Sequence, residues 1–211
     1  DKSYYENVNQ RYKCTELHKW MVDAKFYLKR VGSQKPDGRS LVLETKAHMG
    51  FIGTYDRSLG PGPFQRFLVG GDGLAGGFNS FVLGQDIIGL RGYPNNSVTP
   101  PLYSLRGTQQ ANGIEGGIVY NKFGVELRYP VSTAQSATIY GFLFTEAGNN
   151  WDNYRDFNPF NLYKSAGVGA RIFMPAFGLI GLNWAYGFDR LPGASDKSGS
   201  QFHFTIGQQI R

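Results

Sequence analysis

One cysteine, Cys14, stands in 211 residues, so no disulfide can form within the chain and cysteine usage leaves the redox compartment open. No apolar run reaches the roughly 18 residues that a transmembrane helix needs. Runs of Lys/Arg are missing too. The 22 basic and 16 acidic residues give a net charge of +6, but they are scattered and form no track for a phosphate backbone, which argues against a nucleic-acid partner. Helix-spaced Leu, Ala, Glu and Lys are scarce. No basic, then apolar, leader opens the chain, and Asp1 is not a natural start, so the sequence reads as a processed chain or a fragment.

What is plentiful is glycine and aromatic rings: 29 Gly, 16 Phe, 13 Tyr and 3 Trp. Glycine stands at nearly twice its usual share of about 7%. Together these residues favour many strands and turns over helices. A mean hydropathy near zero does not argue against a membrane, because transmembrane strands alternate apolar with polar residues and average out.

Seven segments alternate with period two between turn signals. In 19–31, Trp20, Val22, Ala24, Phe26 and Leu28 share one face. In 40–54, Leu41 and Leu43 stand opposite Glu44, Lys46 and His48. In 116–130, Phe123, Val125, Leu127 and Tyr129 oppose Lys122, Gly124, Glu126 and Arg128. In 136–149, Ala137, Ile139, Gly141 and Leu143 oppose Thr138, Tyr140, Phe142, Phe144 and Glu146. In 162–175, Ala166, Val168, Ala170 and Ile172 alternate with Ser165, Gly167, Gly169 and Arg171. In 177–189, Ile180, Leu182, Trp184, Tyr186 and Phe188 oppose Gly181, Asn183, Ala185, Gly187 and Asp189. In 200–210, Phe202, Phe204 and Ile206 oppose Gln201, His203, Thr205 and Gly207.

Short connections (32–39, 131–135, 175–177) alternate with long ones (55–115, 150–161, 190–199), the habit of outer-membrane barrels. A soluble β-sandwich can alternate in the same way. The polar faces of the last two segments decide between them: Gly, Asn, Thr, Gln and His suit a wet lumen better than a dry sandwich core. The expected fold is all-β, an antiparallel transmembrane β-barrel. Seven strands do not close such a barrel, whose smallest bacterial form has eight. The chain is therefore read as a C-terminal portion: 1–18 a remnant of an extracellular loop, 19–54 two strands, 55–115 a long extracellular loop, and 116–211 the last five strands.

A connection of about sixty residues inside a compact domain is usually functional or disordered. This one carries Phe64-Gln65-Arg66-Phe67-Leu68-Val69-Gly70-Gly71 and later Ile87-Ile88-Gly89-Leu90-Arg91-Gly92-Tyr93, too apolar for a solvated loop. It is expected to fold back and pack inside the barrel. The glycines from Gly70 to Gly77 lack the strand-before, helix-after context and the Lys-Ser/Thr of a phosphate loop, and read as turns. Arg91 is either a solvated loop arginine or a guanidinium inserted among carboxylates on the inner wall. Inward parity supplies two such acids, Glu126 and Glu146.

At this point the residues resemble a known family. Leu90-Arg91-Gly92-Tyr93 is similar to the Val/Ile/Leu-Arg-Gly-Phe/Tyr signature of the BamA family of outer-membrane assembly barrels. Phe64 to Gly71, Gly124 to Pro130, Phe144 to Trp151, Ser165 to Gly169 and Phe202 to Gln209 fit its further motifs in order, over about residues 19–210. The phrasing resembles Bacteroidetes-type members. The resemblance implies a sixteen-strand barrel of which these are the last seven, preceded by the N-terminal half of the barrel and by POTRA domains. It implies a non-enzymatic insertase in the outer membrane of a Gram-negative bacterium, with outer-membrane lipids, nascent β-barrel clients and accessory lipoproteins as partners.

It further implies that Leu90, Arg91, Gly92 and Tyr93 lock the loop against a wall of Glu126, Phe144 and Glu146. Phe202, Phe204, Ile206 and Gly207 would belong to the last strand at a lateral seam, where a client strand could add to an open edge. In a wet lumen the Arg91 pairing would contribute about 1–2 kcal/mol. One departure is the end of the chain, Ile210-Arg211, where the family usually has an aromatic residue. A two-partner secretion barrel with the same inward loop is the second reading, and a passive porin is disfavoured by an apolar loop in the lumen. His18, His48 and His203 are scattered, with no His-Glu-x-x-His and no Gly-x-Ser-x-Gly. His203 reads as a hydrogen-bonded lumen residue, and neither catalytic residues, a metal site nor a cofactor is expected.

Overall fold

The computed structural model describes residues 16–31, 40–55, 62, 65–73, 85–100, 116–134, 137–175, 178–191 and 194–206. Their regular elements are β1 (Leu17–Val31), β2 (Leu41–Thr54), β3 (Phe67–Val69), β4 (Asp86–Ile88), β5 (Val119–Thr133), β6 (Thr138–Trp151), β7 (Tyr163–Met174), β8 (Gly178–Arg190) and β9 (Lys197–Ile206), with one 3-10 turn at Tyr154–Asp156. The seven long strands form a single sheet in the order β1-β2-β5-β6-β7-β8-β9. Every pairing in it is antiparallel. The chain skips from β2 to β5 because β3 and β4 pair in parallel with each other in the long loop, outside this sheet.

Period-two patterning explains the sheet. Cross-strand partners project to the same side, so each face collects one chemistry. Trp20 pairs with Phe51 and Val22 with Met49, while Val168 pairs with Trp184 and Trp184 with Phe202. All of these are exposed, as are Phe123, Val125, Leu143, Tyr186, Phe188 and Phe204. The opposite face buries Glu44, His48, Lys122, Glu126, Glu146, Arg171, Asn183 and His203. An apolar outside and a polar inside is the arrangement of a membrane barrel wall and the reverse of a soluble sheet.

Several strand boundaries differ from the expected ones; β6, expected over 136–149, runs Thr138–Trp151. β1 takes in Leu17 and His18, placed in the loop by the sequence reading; both pair with the end of β2, at Thr54 and Gly53. The strand expected over 116–130 runs on to Thr133, with a register shift between Pro130 and Ser132. Pro130 has no N–H for the ladder, so the strand continues only by slipping past it. The last strand begins at Lys197, three residues before the expected 200, and is described as far as Ile206. Residues 1–15 of the expected loop remnant, together with Gly207 and 208–211, lie outside the described residues.

The described parts of the long loop pack against the inner face. Phe67, Val69, Ile88, Leu90, Tyr93 and Val98 from the loop join Ile52, Ile118, Val119, Tyr120 and Trp151 of the wall in one buried cluster. The Phe67 and Gly117 backbones exchange two hydrogen bonds of 2.9 Å, and the Asn150 side-chain amide donates to Phe67 O at 2.8 Å. Fully burying each large apolar side chain is worth about 1.5–3 kcal/mol, so the cluster contributes to holding the loop inward.

Candidate functional site

Arg91 lies in the turn just after β4, where Leu90 forms a bridge with Gly71 and is fully buried. Its guanidinium Nη2 donates to Glu126 Oε1 of β5 and to Glu146 Oε1 of β6, both at 2.7 Å. Its backbone N–H donates to Glu146 Oε2 at 2.9 Å, so one carboxylate holds both the side chain and the main chain of this residue. Nη1 donates to Asn183 Oδ1 of β8 at 3.4 Å. The guanidinium stacks over the Phe144 ring with its carbon 3.6 Å from the centroid, a cation–π contact. Strand alternation places Phe144 and Glu146 on one face of β6, which is why a single strand supplies both the ring and the carboxylate.

Arg91 is only 1% exposed, which corrects the expectation of a wet pair worth about 1–2 kcal/mol. The loop cluster and the Phe144 ring exclude water from it. Losing one partner of a dry ion pair costs about 3–5 kcal/mol, because the other charge stays buried and uncompensated. Burial by itself disfavours the Arg91 charge; Glu146 and Glu126 outweigh it and hold the group above its ordinary pKa.

The two acids are hubs of a wider network. Glu126 also meets Arg128 at 2.6 Å, Lys46 at 3.7 Å and Arg171 at 3.7 Å, and Glu146 meets Lys122 at 3.3 Å. Glu44 of β2 pairs with Arg128 and lies 3.6 Å from Lys46. Lys46, Lys122, Arg128, Arg171 and Glu44 played no part in the sequence reading of the lock, although all occupy inward parity positions.

Gly92 and Tyr93 extend the grip to the last three strands. Gly92 has φ of +92°, and a Cβ there would come within 2.7 Å of the Ser165 Cβ and 3.2 Å of the Gly187 N. Only glycine combines that backbone with that approach to β7 and β8. The Gly92 N–H donates to His203 Nε2 at 3.2 Å, and Ser198 Oγ donates to the Gly92 carbonyl at 2.8 Å. Tyr93 is buried, and its hydroxyl donates to Lys164 O at 2.6 Å and approaches Asp189 Oδ2 at 3.4 Å. Burial raises the pKa of this hydroxyl, which keeps it a donor. Asp189 in turn accepts from the Lys164 N–H at 2.6 Å.

Leu90, Arg91, Gly92, Tyr93, Glu126, Phe144 and Glu146 are thus brought together in space. Phe202 and Phe204 are not part of this constellation: they point outward from β9 and are exposed. The Ile206 backbone pairs with Ile180 of β8, and Gly207 lies outside the described residues. Asn183, Ser198, Asp189 and the Lys164 carbonyl are partners of the loop that motif reading did not pick out. For Asn183 and Asp189 the inward parity of β8 was the available signal; nothing in the sequence marks a backbone carbonyl or Ser198.

The comparisons with known proteins agree with this geometry. The model of the Omp85 superfamily domain matches residues 12–210, nearly the whole chain, including the seven-stranded wall and the locked loop. No curated protein matches the chain. With its antiparallel wall, outward apolar belt and inward-packed loop, the chain belongs to the Omp85 superfamily of outer-membrane β-barrels.

Proposed function

We propose that the chain is the closing side of a BamA-like insertase, which folds and inserts β-barrel proteins into the outer membrane of a Gram-negative bacterium. The observation that carries this reading is the Arg91 lock on the inner face of the wall. The motif ties the loop to β5, β6, β8 and β9. In this reading β9 meets the first strand of the barrel at a weak seam, and an edge freed there is a template for an incoming strand. The loop braces the wall beside that edge, so the wall keeps its shape while a client strand adds. The work is non-covalent. Clients are nascent outer-membrane barrels, the surrounding phase is lipid, and accessory lipoproteins and POTRA domains act on the periplasmic side.

The superfamily also includes two-partner secretion barrels, which export one soluble passenger. The six motifs in order, from Phe64 to Gln209, support the insertase. Reconstitution of the full-length protein in liposomes separates the two. An insertase speeds the appearance of folded, heat-modifiable client barrels in the bilayer. Release of a soluble passenger with no effect on client folding would replace this reading with the translocator.

A further inference from the structure

Arg91 grips β5 and β6, but the next residue makes a separate attachment. Both polar groups of Gly92 go to β9: its N–H to His203 Nε2 at 3.2 Å and its carbonyl to Ser198 Oγ at 2.8 Å. His203 and Ser198 stand half the length of β9 apart and clasp the loop from two sides. β9 is one of the two end strands of the described sheet, so its neighbours on the inner face bear on how firmly it is held.

The two contacts differ in chemistry. Ser198 does not titrate. His203 can accept from Gly92 only while Nε2 carries no proton; an imidazolium has donors at both nitrogens and meets the Gly92 N–H donor to donor. We propose that His203 and Ser198 form a two-point latch tying the loop to β9, and that protonation of His203 opens its first point while Arg91 stays paired. The charged groups on the elements packed around His203 are Arg91 and Asp72 of the loop and Glu146 of β6. Across the ladder stands the neutral Asn183 of β8. The latch bond is therefore present above the pKa of the imidazole and lost as pH falls through it. The latch acts whether the barrel inserts or exports, since it concerns only how the loop is held to β9.

The test is hydrogen exchange of the full-length protein in native outer-membrane vesicles, read by mass spectrometry on the segment 86–93. Rates are corrected for the intrinsic pH dependence of exchange, and the strand 138–151 serves as control. Between about pH 7.5 and about pH 5, protection of 86–93 should fall about tenfold, the size of one hydrogen bond, with 138–151 unchanged. His203→Gln offers an acceptor that does not titrate, so its protection should not change with pH. Ser198→Ala, a milder change, should lower protection by the same factor at both pH values and keep the native pH response. Native protection that does not change with pH would overturn the proposal. So would the native response persisting in His203→Gln, or disappearing in Ser198→Ala.

Discussion

At the scale of single residues, Arg91 of the loop is the most consequential side chain against the inner wall. It meets two carboxylates at 2.7 Å each and covers the Phe144 ring, and only a planar, permanently charged fork does all three at once. Arg91→Ala is expected to destabilise the barrel by about 3–5 kcal/mol by leaving Glu126 and Glu146 buried without it. The loss would show as a lower temperature at which the heat-modified band shifts on a gel. Arg91→Lys should recover part of this, since an ammonium replaces the charge but neither the fork nor the stacking. Gly92→Ala brings a methyl group to within 2.7 Å of the Ser165 side chain in a positive-φ conformation. A cost of about 1–3 kcal/mol should appear as faster protease cleavage of the long loop, and a variant cleaved no faster would remove the case for close packing at Gly92.

At the scale of elements, each long strand has two chemically opposed faces. Phe204 is 47% exposed on the outer face of β9 while Gln201 lies on the inner face. Phe204→Arg is expected to cost about 2–4 kcal/mol if it falls near the bilayer midplane, whereas Gln201→Arg should be tolerated. Urea unfolding in lipid vesicles measures both, and equal effects would contradict the assignment of faces. The same opposition made the strands legible in the sequence. Leu143 against Glu146, or Trp184 against Asn183, can be sorted by parity because lipid and lumen select different residues. β3 and β4 were not legible: three residues each, paired in parallel across a long gap, leave no periodic signal. Arg91 and its two acids could be inferred because all three carry charge. Gly92 to Ser198 and Tyr93 to the Lys164 carbonyl could not, since backbone acceptors leave no trace in residue identity.

For the whole molecule, the sheet is a barrel wall with an apolar outside and a loop held on its inside. The connections sort to two ends, with the β6–β7 connection at one and the β7–β8 turn at the other. In a variant with Cys14 replaced by Ser, a cysteine at Phe160, which is 87% exposed, should react with a membrane-impermeant thiol reagent on intact cells. A cysteine at Pro175 should not; labelling of both, or of Pro175 alone, would reverse the topology. The central claim is that one arginine couples the loop to the wall. It is tested most directly by a double-mutant cycle between Arg91→Gln and Glu146→Gln, read by urea unfolding of the full-length protein in lipid vesicles. A coupling of about 1–3 kcal/mol is predicted, with the double variant less damaged than the sum of the two single ones. Strictly additive effects would show that Arg91 and Glu146 act independently, and would contradict the lock.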